Sequence, residues 1–99
     1  METRLIWDEA KRRKSLKKHG LDFADAREVL DSRFRFDTPV KRGGESRIES
    51  VSYALRFLAV LTVAHTERQG ATRNISFRRA SREQRETYYA WIENECDEP

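Results

Sequence analysis

Residues 72–79 read Thr72-Arg73-Asn74-Ile75-Ser76-Phe77-Arg78-Arg79. Side chains of an extended strand point alternately to its two faces. The pattern therefore sets Ile75 and Phe77 on one face, toward helices, and Asn74, Ser76 and Arg78 on the other. Upstream, Phe57–Thr66 is a continuous apolar run suited to a central strand, and Arg47–Ala54 has the texture of another. Turns fall near Leu55-Arg56 and Gln69-Gly70. Between residues 33 and 46, Pro39 and Gly43-Gly44 mark a possible edge strand, Arg35–Val40, followed by a loop.

Outside this β region the chain is helical. Thr3–Trp7 is predicted as a short strand with Leu5 and Trp7 on one face. Asp8 is an N-cap for a helix over 9–18, and Gly20 is placed to cap its other end. Only Ala10 and Leu16 are apolar there, so the helix must pack on one narrow stripe. Asp22 opens a second helix in which Phe23, Ala26, Val29 and Leu30 share a face, ending near Ser32. Ser81 and Gln84 form a capping-box pattern before a last helix striped by Tyr88, Trp91 and Ile92, and residues 96–99 should fray. The predicted fold is α+β: one domain over 1–99, a small mostly antiparallel sheet, two N-terminal helices and one C-terminal helix.

The formal net charge is only +3, but it is unevenly spread. Residues 1–20 carry seven Lys and Arg against three acids, and 68–85 carry six arginines against Glu83 alone. Two basic segments that meet in the fold would make a polyanion site; a solvated mixed-charge surface is the plainer reading of each run by itself. The single cysteine, Cys96, forms no internal disulfide and suits a reducing compartment. No apolar run reaches the roughly 18 residues of a spanning helix, and the start lacks a signal peptide's apolar region, so the cytoplasm is the expected location.

Several chemistries drop out. One Cys and two distant histidines cannot supply a zinc site's ligands, and Gly43-Gly44 lacks the strand and following helix of a phosphate-cradling loop. No metal or cofactor is expected. What remains is cations, two histidines and aromatics, the parts needed to cut RNA with its own 2′-hydroxyl: a base near that hydroxyl, cations on the phosphate and an acid at the leaving oxygen. Arg78 projects from the middle of the opposite sheet face with small polar neighbours, as a surface arginine also would. His19, before Gly20, suits catalysis or simply the helix C-terminal dipole. His65, ending a buried strand, reads as structural. Trp7 suits base stacking or the core.

Trp7-Asp8-Glu9-Ala10-Lys11 and Lys18-His19-Gly20-Leu21-Asp22-Phe23 resemble the opening motif of the BrnT family. Glu45-Ser46-Arg47, Thr66-Glu67-Arg68 and Arg73-Asn74-Ile75-Ser76-Phe77-Arg78-Arg79-Ala80-Ser81, with Glu83 and Tyr88, resemble its second half in the same order. The likeness runs from Trp7 to Tyr88. Ser15, Ser52 and Phe77 depart from it, standing where an asparagine, a glycine and a small residue are usual. The resemblance implies a RelE-like fold, metal-independent RNA cleavage that inhibits translation and growth, and neutralisation by a BrnA-type ribbon-helix-helix antitoxin, through which operator DNA is bound. It makes Lys18, His19, Arg47 and Arg78 the candidate catalytic residues, the arginines on the scissile phosphate and Lys18 and His19 as base and acid. Trp7, Lys11, Arg73 and Arg79 are the candidate RNA-binding residues. The alternative is a non-catalytic partner in a DNA-bound toxin–antitoxin repressor complex.

Overall fold

The computed structural model describes residues 4–96. The order is β1 (Leu5–Ile6), α1 (Glu9–His19), a 3₁₀ turn (Phe23–Ala26), α2 (Arg27–Leu30), β2 (Phe36–Arg42), β3 (Glu45–Ala54), a 3₁₀ turn (Leu55–Phe57), β4 (Ala59–Arg68), β5 (Ala71–Arg79) and α3 (Arg82–Cys96). The expected strand start at Thr3 and the fraying of 97–99 lie outside the described residues, while Cys96 still belongs to α3.

The five strands form one mixed sheet in the order β1-β5-β4-β3-β2. Only the short β1 is parallel, pairing Leu5 with Thr72 and Ile6 with Arg73. The rest is a meander of three antiparallel pairings, as the α+β reading required. Pro39 sits in the edge strand β2, where a missing N–H is tolerated.

The expected loop after Val40 is instead strand. Arg42 pairs with Glu45 across the two residues Gly43 and Gly44, at φ 56° and 81°. That left-handed pair matches the twist of the hairpin and extends both strands to the turn. The expected second helix is broken into a 3₁₀ turn, capped by Asp22 Oδ1 accepting from Ala24 N at 3.0 Å, and a single α-turn. The central strand begins at Ala59 rather than Phe57, because Leu55–Phe57 coil and Leu58 takes a left-handed φ of 51°.

Each face of the sheet carries its own core. On the first, Leu21, Phe23, Ala26, Val29 and Leu30 pack on Ala54, Leu61, Val63 and Phe77, with Leu5 and Trp7 at the margin. On the second, Tyr88 of α3 packs with Val51, Val60 and Ala80, and Phe36, Trp91 and Ile92 close over them. Tyr88 Oη donates to Phe34 O at 2.9 Å and accepts from Tyr53 N at 3.1 Å, so the ring is buried with its hydroxyl satisfied.

Helix α1 differs from expectation. It buries no residue, and Leu16 stays exposed, so no apolar stripe holds it. Polar ties do: Asp8 Oδ1 accepts from Lys11 N at 3.2 Å, Gly20 N donates to Leu16 O at 2.8 Å, Arg12 pairs with Asp22 at 3.1 Å, and Ser15 Oγ donates to Phe77 O at 3.4 Å. Glu9, gripped by Arg12 at 2.6 Å, has its carboxyl lowered to about 2, first by the Arg12 hydrogen bond.

The alternation of β5 is interrupted. Ala64 pairs with Ser76 but His65 pairs with Asn74, so Ile75 is an extra, unpaired residue. Asn74 is therefore turned to the first face, buried, with Nδ2 donating to Phe23 O at 3.3 Å. This corrects its placement with Ser76 and Arg78; those two keep the opposite face from Phe77.

Candidate functional site

On the second face, the sheet and the start of α3 enclose a groove of about 400 Å³ lined by Phe36, Thr38, Arg42, Glu49 and Arg78 from the sheet and Gln84 from α3. Ser81 and Gln84 form the expected capping box: Ser81 Oγ accepts from Gln84 N at 3.1 Å and Gln84 Oε1 from Ser81 N at 2.9 Å. That box fixes where α3 begins, and with it one wall of the groove.

Arg78 reaches into the groove and is held only by neutral acceptors, Gln84 Oε1 at 3.3 Å and Arg79 O at 3.4 Å. Among the described residues no carboxylate pairs with it, nor with Arg42 in the same groove, whereas Arg12, Arg13, Arg35, Arg47, Arg56 and Arg82 each have one. The charge of Arg78 is thus oriented and left available, the state in which a guanidinium binds phosphate. Arg47 is on the same face, two residues along β3 from Glu49, but it does not line the groove and its Nε is engaged by Glu45 Oε1 at 3.0 Å.

Lys18 and His19 are exposed and line a second concavity of about 200 Å³, formed where α1 crosses β5 and shared with Lys11, Lys14, Ile75 and Ser76. The two concavities share no lining residue, but β5 contributes to both: Ser76 lines one, and Arg78, two residues on, lines the other. Arg73 is half-buried beside β1, and Arg79 is exposed at the end of β5. Trp7 packs against the first core, with Nε1 donating to Glu9 Oε1 at 3.3 Å, which favours its reading as a core aromatic.

Sequence reasoning missed Glu49 and the reach of Gln84. Glu49 Oε1 accepts from Gln84 Nε2 at 3.2 Å and faces the same groove as Arg78. The capping-box pattern pointed to Gln84 as a helix start, but no local pattern links residues 49, 78 and 84. His65 is buried on the first face, and among the described residues no cluster of three His, Cys, Asp or Glu is arranged to hold a metal ion. No helix among them is long and apolar enough to cross a membrane.

The molecule is thus a small α+β protein with a groove holding a guanidinium that no carboxylate pairs, and a separate concavity lined by lysines of α1. Residues 7–84 match the family model described as the ribonuclease toxin, BrnT, of type II toxin–antitoxin systems. The chain belongs to that family, whose members are toxins with an antitoxin as partner. No curated protein matches the chain.

Proposed function

We propose that this toxin is an endoribonuclease that cuts RNA without a metal, by attack of a 2′-hydroxyl on the adjacent phosphorus with departure of the 5′-oxygen. Arg78 and Arg47 hold the scissile phosphate. Lys18 and His19, reached across Ser76, serve the proton transfers, and Glu49 adds a carboxylate at the groove. Lys11, Arg73 and Arg79 carry the flanking strand, with Trp7 at its margin. The observation that carries this reading is the oriented guanidinium of Arg78, without a carboxylate partner, in the groove between the sheet and α3. The family's description as a ribonuclease supports it.

The same reading takes the fold as RelE-like, supported by two helical segments before an antiparallel meander and one helix after it. It takes the antitoxin to be of the BrnA type, covering the basic surface and supplying the DNA-binding part of a repressor complex. The test is purified protein incubated with end-labelled RNA in EDTA. Cleavage leaving 2′,3′-cyclic phosphate ends is expected. RNA left intact would overturn the assignment in favour of a non-catalytic partner in the repressor complex.

A further inference from the structure

A capping-box glutamine needs one side-chain bond, to the N-cap N–H. Gln84 makes that bond to Ser81 N and three more: Oε1 also accepts from Thr62 Oγ1 at 3.1 Å and from Arg78 Nη1 at 3.3 Å, while Nε2 donates to Glu49 Oε1 at 3.2 Å. The extra bonds tie β4, β5 and β3 to the first turn of α3. The network also fixes which way the amide points, since a flipped amide would set its NH₂ against the Ser81 N–H and the Arg78 guanidinium and its oxygen against a carboxylate.

The neutrality of the amide matters as much as its position. Gln84 stands between Arg78 and Glu49, oriented to accept from the cation and donate to the anion. Arg78 is held without being neutralised, and Glu49 is anchored without being paired to Arg78 directly; among the described residues no salt bridge joins them. A glutamate at this position would cap the helix as well, but would put a negative charge on Arg78 and a like charge beside Glu49.

We propose that Gln84 is a positioning residue for RNA cleavage, aiming the Arg78 guanidinium into the groove while leaving its charge for the substrate. This rests on the reading that Arg78 holds the scissile phosphate. It predicts that capping and activity separate at one residue.

The test compares Ser81→Ala, Gln84→Ala, Gln84→Glu and Arg78→Ala by thermal melting and by kcat and KM on RNA. Ser81→Ala and Gln84→Ala each remove half of the box and should both lower Tm, Gln84→Ala the more because it also loses the bonds to Thr62 and Glu49. Ser81→Ala should keep the parent's kcat; Gln84→Ala should lose roughly tenfold or more in kcat, as misplacement of a group in the site does. Gln84→Glu should regain Tm without regaining kcat. Recovery of both in Gln84→Glu, or equal kcat losses in Ser81→Ala and Gln84→Ala, would reduce Gln84 to a cap and overturn the proposal. An inactive Arg78→Ala beside a fully active Gln84→Ala would overturn the role of Gln84 alone. A fully active Arg78→Ala would remove Arg78 from the site, and the role of Gln84 with it.

Discussion

Asn74 and Phe77 point to the same face of the sheet although they stand three positions apart on one strand. Phe77 is fully buried among Leu21, Phe23 and Val63, and Asn74 reaches the carbonyl of Phe23 from the other side of the bulge. Ile75, the extra residue, resets the parity, so both residues secure the 3₁₀ turn at Phe23–Ala26 on the sheet.

Both should matter for stability, by different means. Phe77→Ala empties a core position and should cost about 3–5 kcal/mol, a large share of the stability of a domain this small. Asn74→Ala leaves the buried Phe23 carbonyl without this donor and should cost about 1–3 kcal/mol. Chemical denaturation of the two variants checks both. An Asn74→Ala protein as stable as the parent would return Asn74 to the opposite face with Ser76.

His65 gives the fold a dependence on pH. Ser50 Oγ donates to Asp37 Oδ1 at 2.7 Å; having one proton, it must accept from His65 Nε2, also at 2.7 Å. The ring is buried, Nδ1 has no partner, and burial, seconded by Arg35, lowers the pKa of His65 from the usual 6.5, with Asp37 and Glu67 opposing. In that window the unfolded chain binds the extra proton, so stability rises with pH and is lost as pH falls below about 6.5. For Asp37, burial would raise the carboxyl, but Arg35 and Ser50 hold it below 3.8, so its contribution is lost only in stronger acid. Melts at pH 7.5 and 5 should show a falling Tm that His65→Gln flattens. A parent Tm unchanged between them would mean the imidazole is free to charge in place.

The strands, their order along the chain, both helix caps and the capping box were legible because each rests on local rules of period, turn and cap. The bulge was not: Ile75 fits regular alternation, and only its pairing with β4 shows it to be extra. Nor was the grip on α1, whose ties through Ser15 and Arg12 join residues 62 and 10 positions apart. Arg78 and Phe77 kept their predicted faces, since both lie beyond the bulge. Glu49 was invisible because its partner, Gln84, is 35 residues away and brought to it by the docking of α3.

Salt tests the proposed charge-held binding of RNA. If Arg78 and the lysines of α1 hold RNA by charge, affinity should fall steeply with ionic strength, with a log–log slope of about −0.7 for each phosphate contacted on a single strand. Titrations of a labelled oligonucleotide across a range of salt measure it. Affinity that stays flat would point to stacking rather than an electrostatic groove.

Replacing Arg78 by Lys tests its role directly. The side chain is half-buried, on the face opposite Phe77, and enters no salt bridge, so a lysine should leave the melt near the parent's. Charge is kept, but the planar fork that donates to Gln84 Oε1 and, on the proposed reading, to a phosphate as well is lost. Removing a donor aimed at developing charge typically lowers turnover by about 10²–10³, or roughly 3–4 kcal/mol in the transition state. Growth arrest on expression should weaken accordingly, and cleavage of labelled RNA should slow, with KM changing less than kcat. The double change Arg78→Lys with Gln84→Ala should then lose little more than Arg78→Lys alone, because the amide acts through the guanidinium. Fully additive losses would show two independent contributions. An Arg78→Lys toxin that folds and kills like the parent would show that point charge suffices here and that the fork contributes nothing.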